Sequence, residues 1–229
     1  MFNLIRKFRQ IPESKKIIVY GKLAFLRNLC FFAFKIAVGI WFESWFLIAI
    51  ALYGLSIGYV KNNCSTGLRK NKDNLKDINS YIHGGIVLTI SSVFYIGYSI
   101  SQIFFQQNYQ YNLVIAITIA AYSAYSITKS LCGVIRSKGK TMLIKEYKLT
   151  NFAGAFNHIV LAQVALLSVM ETEKNMALFN GVLAISVGFI IMVIGIYLIV
   201  DGVKKKKKYK EIISRHPEIV KYLNEDEND

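Results

Sequence analysis

The stretch that decides the fold is Leu178–Lys210, LFNGVLAISVGFIIMVIGIYLIVDGVKKKKKYK. Its first part, Leu178–Val203, is almost wholly apolar, and it passes without a break into Lys204–Lys208 and Lys210. An α-helix rises about 1.5 Å per residue and needs about 20 apolar residues to cross the hydrocarbon of a bilayer. The stretch therefore reads as a membrane-spanning helix that ends in a polybasic anchor.

Working outward, the same kind of block recurs at Leu23–Phe42, Trp45–Val60, Ile82–Phe105, Leu113–Ile135 and about Thr150–Met170, of which Trp45–Val60 alone is short. The chain has 229 residues, 54% apolar and 18% charged, against roughly 25% charged in a soluble domain. Both prolines, Pro12 and Pro217, lie outside the blocks. Backbone groups in lipid must be paired internally, and the blocks are continuous rather than alternating segments of about 10 residues, so they read as helices and not barrel strands. The expected fold is all-α: a polytopic membrane protein with a basic amphipathic segment at 1–22, six transmembrane helices within 23–203, and a polybasic then acidic tail at 204–229.

The net charge of +14 becomes a topology when the cations are placed. Of 28 Lys and Arg, twenty-five fall in alternate segments: the N-terminal segment through Arg27, the loops 61–81 and 136–149, and the tail from Lys204. The intervening turns hold one, Lys174, and Lys35 and Lys129 lie within spans. The positive-inside bias then predicts a cell-membrane protein with both termini cytoplasmic. Cations divided among every cytoplasmic segment do not form the aromatic-bearing basic surface that nucleic acid requires, so no nucleic-acid partner is expected. Lys204, Lys205, Lys206, Lys207 and Lys208 are placed to meet anionic lipid headgroups. Phe2, Ile5, Phe8 and Ile11 suggest a short interfacial helix beside Arg6, Lys7 and Arg9.

Polar residues inside spans face protein or water, and ionisable ones are functional candidates. Ser91, Tyr95, Tyr98, Ser99 and Gln102 share one face of the third helix; Thr118, Tyr122, Tyr125, Ser126 and Lys129 repeat the spacing on the fourth. These faces are expected either to pack on each other or to line a polar pathway. Lys35 lies in mid-span, and Asn151, Asn157 and His158 cluster on the fifth helix. None of the 14 carboxylates is expected deep within a span. Gly181, Gly188, Gly195 and Gly202 recur every seventh residue, and Gly54 and Gly58 form a GxxxG; such seams permit close helix approach, and a homodimer interface is expected at one of them. Cys30, Cys64 and Cys132 form no metal-binding pair. No GxSxG, HExxH or Gly-rich phosphate loop occurs, so the chain is expected to be no enzyme, with no cofactor and no metal.

The stretches Asn28–Leu29, Lys35–Ile36–Ala37–Val38–Gly39 and Leu47–Ser56 (LIAIALYGLS) resemble the first two helices of cation diffusion facilitators. Six helices, cytoplasmic termini and a basic loop between the fourth and fifth helices also fit that family's membrane domain. The resemblance implies its bundle and transport across the membrane. The family holds zinc or a similar ion through His/Asp-xxx-Asp pairs on the second and fifth helices; the matching positions here are Tyr53 and Ile57, and near Gly154 and His158. One His without a carboxylate does not make a tetrahedral divalent site. The chain is thus read as a divergent member lacking the metal ligands, moving another small solute near Tyr53, Tyr95, Tyr122 and His158, or as a non-transporting membrane protein acting through its basic segments. The region from Tyr111 through Lys129 and on to Leu161–Val169 is also similar to small six-helix bacterial membrane proteins without assigned function, which implies the fold and no activity.

Overall fold

The computed structural model describes residues 12–41, 45–70, 74–104, 112–170 and 176–215. Those residues form six helices: α1 Glu13–Trp41, α2 Trp45–Lys70, α3 Asn74–Phe104, α4 Leu113–Ile135, α5 Met142–Val169 and α6 Met176–Arg215. Among the described residues, α1, α3, α4, α5 and α6 are long and apolar enough to cross a membrane. The second half of α2 is polar, carrying Lys61, Asn62, Asn63, Arg69 and Lys70. The interfacial helix expected at Phe2–Ile11 and the tail beyond Pro217 lie outside the described residues.

The helices overrun the expected spans at the basic end of the bundle. α1 starts at Glu13 rather than near Leu23, α2 continues to Lys70, α5 starts at Met142 rather than near Thr150, and α6 continues through the polybasic run to Arg215. At about 1.5 Å per residue the 40 residues of α6 measure roughly 60 Å, about twice the hydrocarbon thickness. Lys204–Lys208 is accordingly a helical extension and not a separate tail. Between α4 and α5 only a tight turn remains, in which Ser137 N–H donates to the Val134 carbonyl at 3.0 Å and Lys140 N–H to Ser137 at 3.1 Å. Gly139 takes φ +76° there, a conformation that costs glycine little.

Chain neighbours α1–α2 and α4–α5 pair closely, but the most extensive contact joins α3 to α6. α2, α3 and α5 meet in the interior; α1 flanks α2, and α4 contacts α5 alone among the described residues. The core follows heptad stripes: Tyr53, Ile57, Val60, Cys64 and Leu68 on α2, Tyr81, Leu88 and Tyr95 on α3, and Ala184, Val187, Ile191 and Leu198 on α6 are all buried. The large apolar side chains of α4, including Val114, Ile117 and Ile135, face outward, as lipid-facing helices require.

Two expectations change here. The glycine seam of α6 is not free for a second copy, because it is the line along which α3 lies. A Cβ at Gly181 would strike Ile103, at Gly188 Ile96, and at Gly195 Thr89 and the Gly85 backbone. Its homodimer role is replaced by an intramolecular one, and Gly58 likewise lies against Asn28 of α1. The polar faces of α3 and α4 do not pack together, since those helices make no contact among the described residues. Their hydroxyls turn back on their own helices: Ser91 donates to Val87 O (2.7 Å), Ser99 to Tyr95 O (2.7 Å) and Thr118 to Val114 O (2.7 Å). Tyr122 and Tyr125 are exposed, and Lys129 Nζ donates to Tyr125 Oη at 3.2 Å.

Candidate functional site

The candidate site is built on α5. Glu146, Thr150, Ala153, Asn157, Val160 and Val164 are spaced by four and three residues, so they form one stripe of the helix, and all six are buried against the rest of the bundle. Three members of the stripe are polar. Among the described residues, Oγ1 of Thr150 and Oδ1 of Asn157 are buried without a hydrogen-bond partner, and the buried carboxylate oxygens of Glu146 meet no stronger donor than the Cys64 thiol. Most buried polar atoms in folded proteins are paired, and exceptions concentrate where a ligand, ion or water belongs.

Across from the stripe, Tyr53 Oη donates to the Ala153 carbonyl at 3.0 Å, which ties α2 to α5. The Tyr53 and Tyr95 rings lie 5.4 Å apart, tilted by 39°, and Tyr95 Oη is a further buried oxygen without a partner among the described residues. Lower down, Glu146 occupies a notch made by α2 and α3. A Cβ on Gly84 would collide with Glu146 Oε1 and come within 3.1 Å of Val60 Cγ1, so glycine is the only residue that leaves the carboxyl its place. The Cys64 thiol, fully buried, is the polar group against the carboxyl, and Asp77 acts on it from α3.

Beside this interior column, Asp201 gathers the basic end together. Tyr81 Oη donates to Asp201 Oδ2 at 2.9 Å, Lys205 Nζ donates to the same oxygen at 2.9 Å, and Lys145 Nζ stands 3.5 Å away. Lys145 also donates to Tyr197 Oη. One carboxylate thereby links α3, α5 and α6.

The sequence-derived candidates divide between these surroundings. Tyr53 and Tyr95 come together in the interior, and Asn157 is buried one turn along α5 from the Ala153 that Tyr53 bonds. His158 and Tyr122 lie to one side: their rings meet edge-on at 5.1 Å, and the His158 carbonyl accepts from Ser123 Oγ at 2.6 Å. Asn151 is half-buried beside Tyr147, so the expected Asn151–Asn157–His158 cluster is split across faces of α5. The positions that the resemblance pairs do converge in part: Ile57 Cγ2 would lie 3.6 Å from a Cβ at Gly154, and Tyr53 meets Ala153, while His158 turns toward α4. Lys35 belongs to α1, and its side chain is outside the described set. Of the polybasic run, Lys204, Lys207 and Lys208 are exposed, whereas Lys205 is engaged by Asp201 and lies 5.4 Å over the Tyr81 ring.

Glu146, which the charge count placed in the loop 136–149 ahead of the fifth span, belongs instead to the first turns of α5. It is fully buried within α5, in a helix long and apolar enough to cross a membrane. Extending the α5 register back through Thr150 to Glu146 was the available signal. No family model matches the chain, and neither a curated protein nor a solved structure does.

Proposed function

We propose that this protein is a multi-pass cell-membrane transporter of a small polar solute, with the path between α2, α3 and α5. In this reading it keeps a frame resembling that of cation diffusion facilitators and has replaced the metal positions by the Tyr53–Ala153 and Ile57–Gly154 contacts. One observation carries the proposal: the buried oxygens of Tyr95, Asn157 and Thr150 have no hydrogen-bond partner among the described residues, and the Glu146 carboxyl has only the Cys64 thiol beside it. A purely structural core would satisfy such groups or replace them with apolar ones; a path needs them free for what passes. Polar groups in membrane interiors characteristically face such pathways.

The test is solute-driven swelling of vesicles reconstituted with the full chain, read by light scattering with urea, glycerol, choline chloride and potassium chloride as probes. Faster swelling than protein-free vesicles for at least one probe, abolished by Asn157→Leu, supports the proposal. Swelling identical to empty vesicles for every probe contradicts it.

A second reading rests on the helical extension of α6, which presents Lys204, Lys207 and Lys208 to solvent. There the protein acts without transport, binding anionic headgroups or a partner on the cytoplasmic side through its basic segments. Swelling unaffected by the chain, together with lipid retention lost on replacing those lysines by Gln, would favour it.

A further inference from the structure

We infer that Glu146 is a proton-binding site at the basic mouth of the α2–α3–α5 interior, closed when it holds the proton and opened when it releases it. The inference builds on the transport reading by naming what gates the path. Its geometry is specific. The carboxyl is fully buried, its only polar neighbour within hydrogen-bonding reach is the weakly polar Cys64 thiol, and neither a stronger donor nor an ion pair reaches it among the described residues. An ionised carboxylate cannot rest in such a place without water or a counter-charge, whereas a neutral carboxyl can.

The surroundings select a proton over a metal ion. Oε1 lies close against Gly84, with the apolar Val60 beside it. Among the described residues no three His, Cys, Asp or Glu side chains come together as metal ligands. The groups that face Glu146 are Cys64 on α2 and Asp77 and Tyr81 on α3. Lys61 lies one turn from Cys64 and acts on that thiol, together with Arg27 of α1 acting on Lys61. From α6, Asp201 engages Tyr81 and is itself held by Lys205 and Lys145. Among these groups Asp77 is the one carboxylate, and no cation pairs with Glu146 among the described residues.

The step is simple. The carboxyl O–H bond breaks, the electron pair stays on Glu146, and the proton passes to water entering from the basic end. The resulting carboxylate requires solvation, so α2 and α3 part from α5 at Val60, Cys64 and Gly84. Opening is favoured as pH rises and closure as pH falls. Cys64 reports it, being fully buried while Cys30 and Cys132 are exposed.

The experiment uses the full chain in vesicles with Cys30→Ser and Cys132→Ser, and follows N-ethylmaleimide modification of Cys64 across the neutral pH range. Thiolate formation alone raises the rate about tenfold per pH unit. With Glu146 present, each unit adds up to about another tenfold, because opening is linked to loss of one proton. Glu146→Gln returns the dependence to the thiolate slope; equal slopes in both proteins would overturn the inference. Gly84→Ala, which displaces the carboxyl, raises Cys64 modification several-fold at the acid end, and an unchanged rate there would equally overturn it. Since no solute enters this assay, a gated Cys64 without vesicle swelling would refute transport alone, and swelling without gating would refute the proton site alone.

Discussion

The α3–α6 seam makes a quantitative prediction through Gly195→Ala. A methyl at this position would strike Thr89 Oγ1, lie 2.9 Å from Thr89 N and 3.0 Å from the Gly85 carbonyl. Two of those atoms are backbone, and the hydroxyl is itself fixed by its 2.9 Å hydrogen bond to Gly85 O, so nothing swings aside. Overpacking of this kind costs about 1–3 kcal/mol, and the rigid neighbours place it at the upper end. Helix propensity returns about 1 kcal/mol of that, leaving a net loss of roughly 2 kcal/mol. Gly97→Ala is the matched control, because a Cβ there meets nothing within 4 Å and only the propensity gain of up to about 1 kcal/mol operates. The gap between the variants, about 3 kcal/mol, corresponds to roughly 6–12 °C in melting temperature for a chain of this size. Thermal unfolding in detergent, followed by circular dichroism at several protein concentrations, measures it. The gap should not depend on concentration, because the seam is intramolecular. Equal melting of the two variants, or a gap that closes on dilution, would refute the packing argument.

Asp201→Asn removes the charge that Tyr81, Lys205 and Lys145 share. The lysines are 38% and 30% exposed, so screening limits the loss to about 1 kcal/mol; it should shrink in high salt, and equal stability of variant and wild type at low salt would contradict it. For topology, a fluorescent reporter fused at either terminus should light up in the cytoplasm, and an alkaline phosphatase inserted between α3 and α4 should be active outside. The reverse pattern would refute the charge-derived orientation.

Much of the fold was legible because hydrophobic length and cation placement are both read directly along the chain. What failed had local causes. Treating all the cations from Arg136 to Lys148 as loop residues concealed that Lys145 and Lys148 sit half-buried on a helix whose intervening Glu146 faces inward; charge counts place side chains, not helix ends. The seven-residue glycine repeat announced close approach, but the identity of the approaching helix depends on α3 offering Gly85 and Thr89 at matching height. The spacing of Ser91 and Ser99 on the third helix, and of Thr118 on the fourth, predicts two polar faces. It could not reveal that a hydroxyl bonded to its own helix needs no neighbour. At the site, Tyr53, Tyr95 and Asn157 were visible as polar residues in apolar blocks, whereas Thr150 and Cys64 look ordinary until α2 and α5 are set side by side.

The most direct test of the central claim is water access to the middle of α5. Asn157, only 8% exposed, would be replaced by Cys in the full chain with the native cysteines changed to Ser, then treated in vesicles with a positively charged methanethiosulfonate. Ile117→Cys on the outward face of α4, where Ile117 is 55% exposed, serves as the lipid-facing reference. A path predicts reaction at position 157 at least about tenfold faster than at 117, since a thiol ionises readily only where water reaches it. Reaction no faster than at 117 would mean that the column of polar groups is packed dry, and would contradict the account.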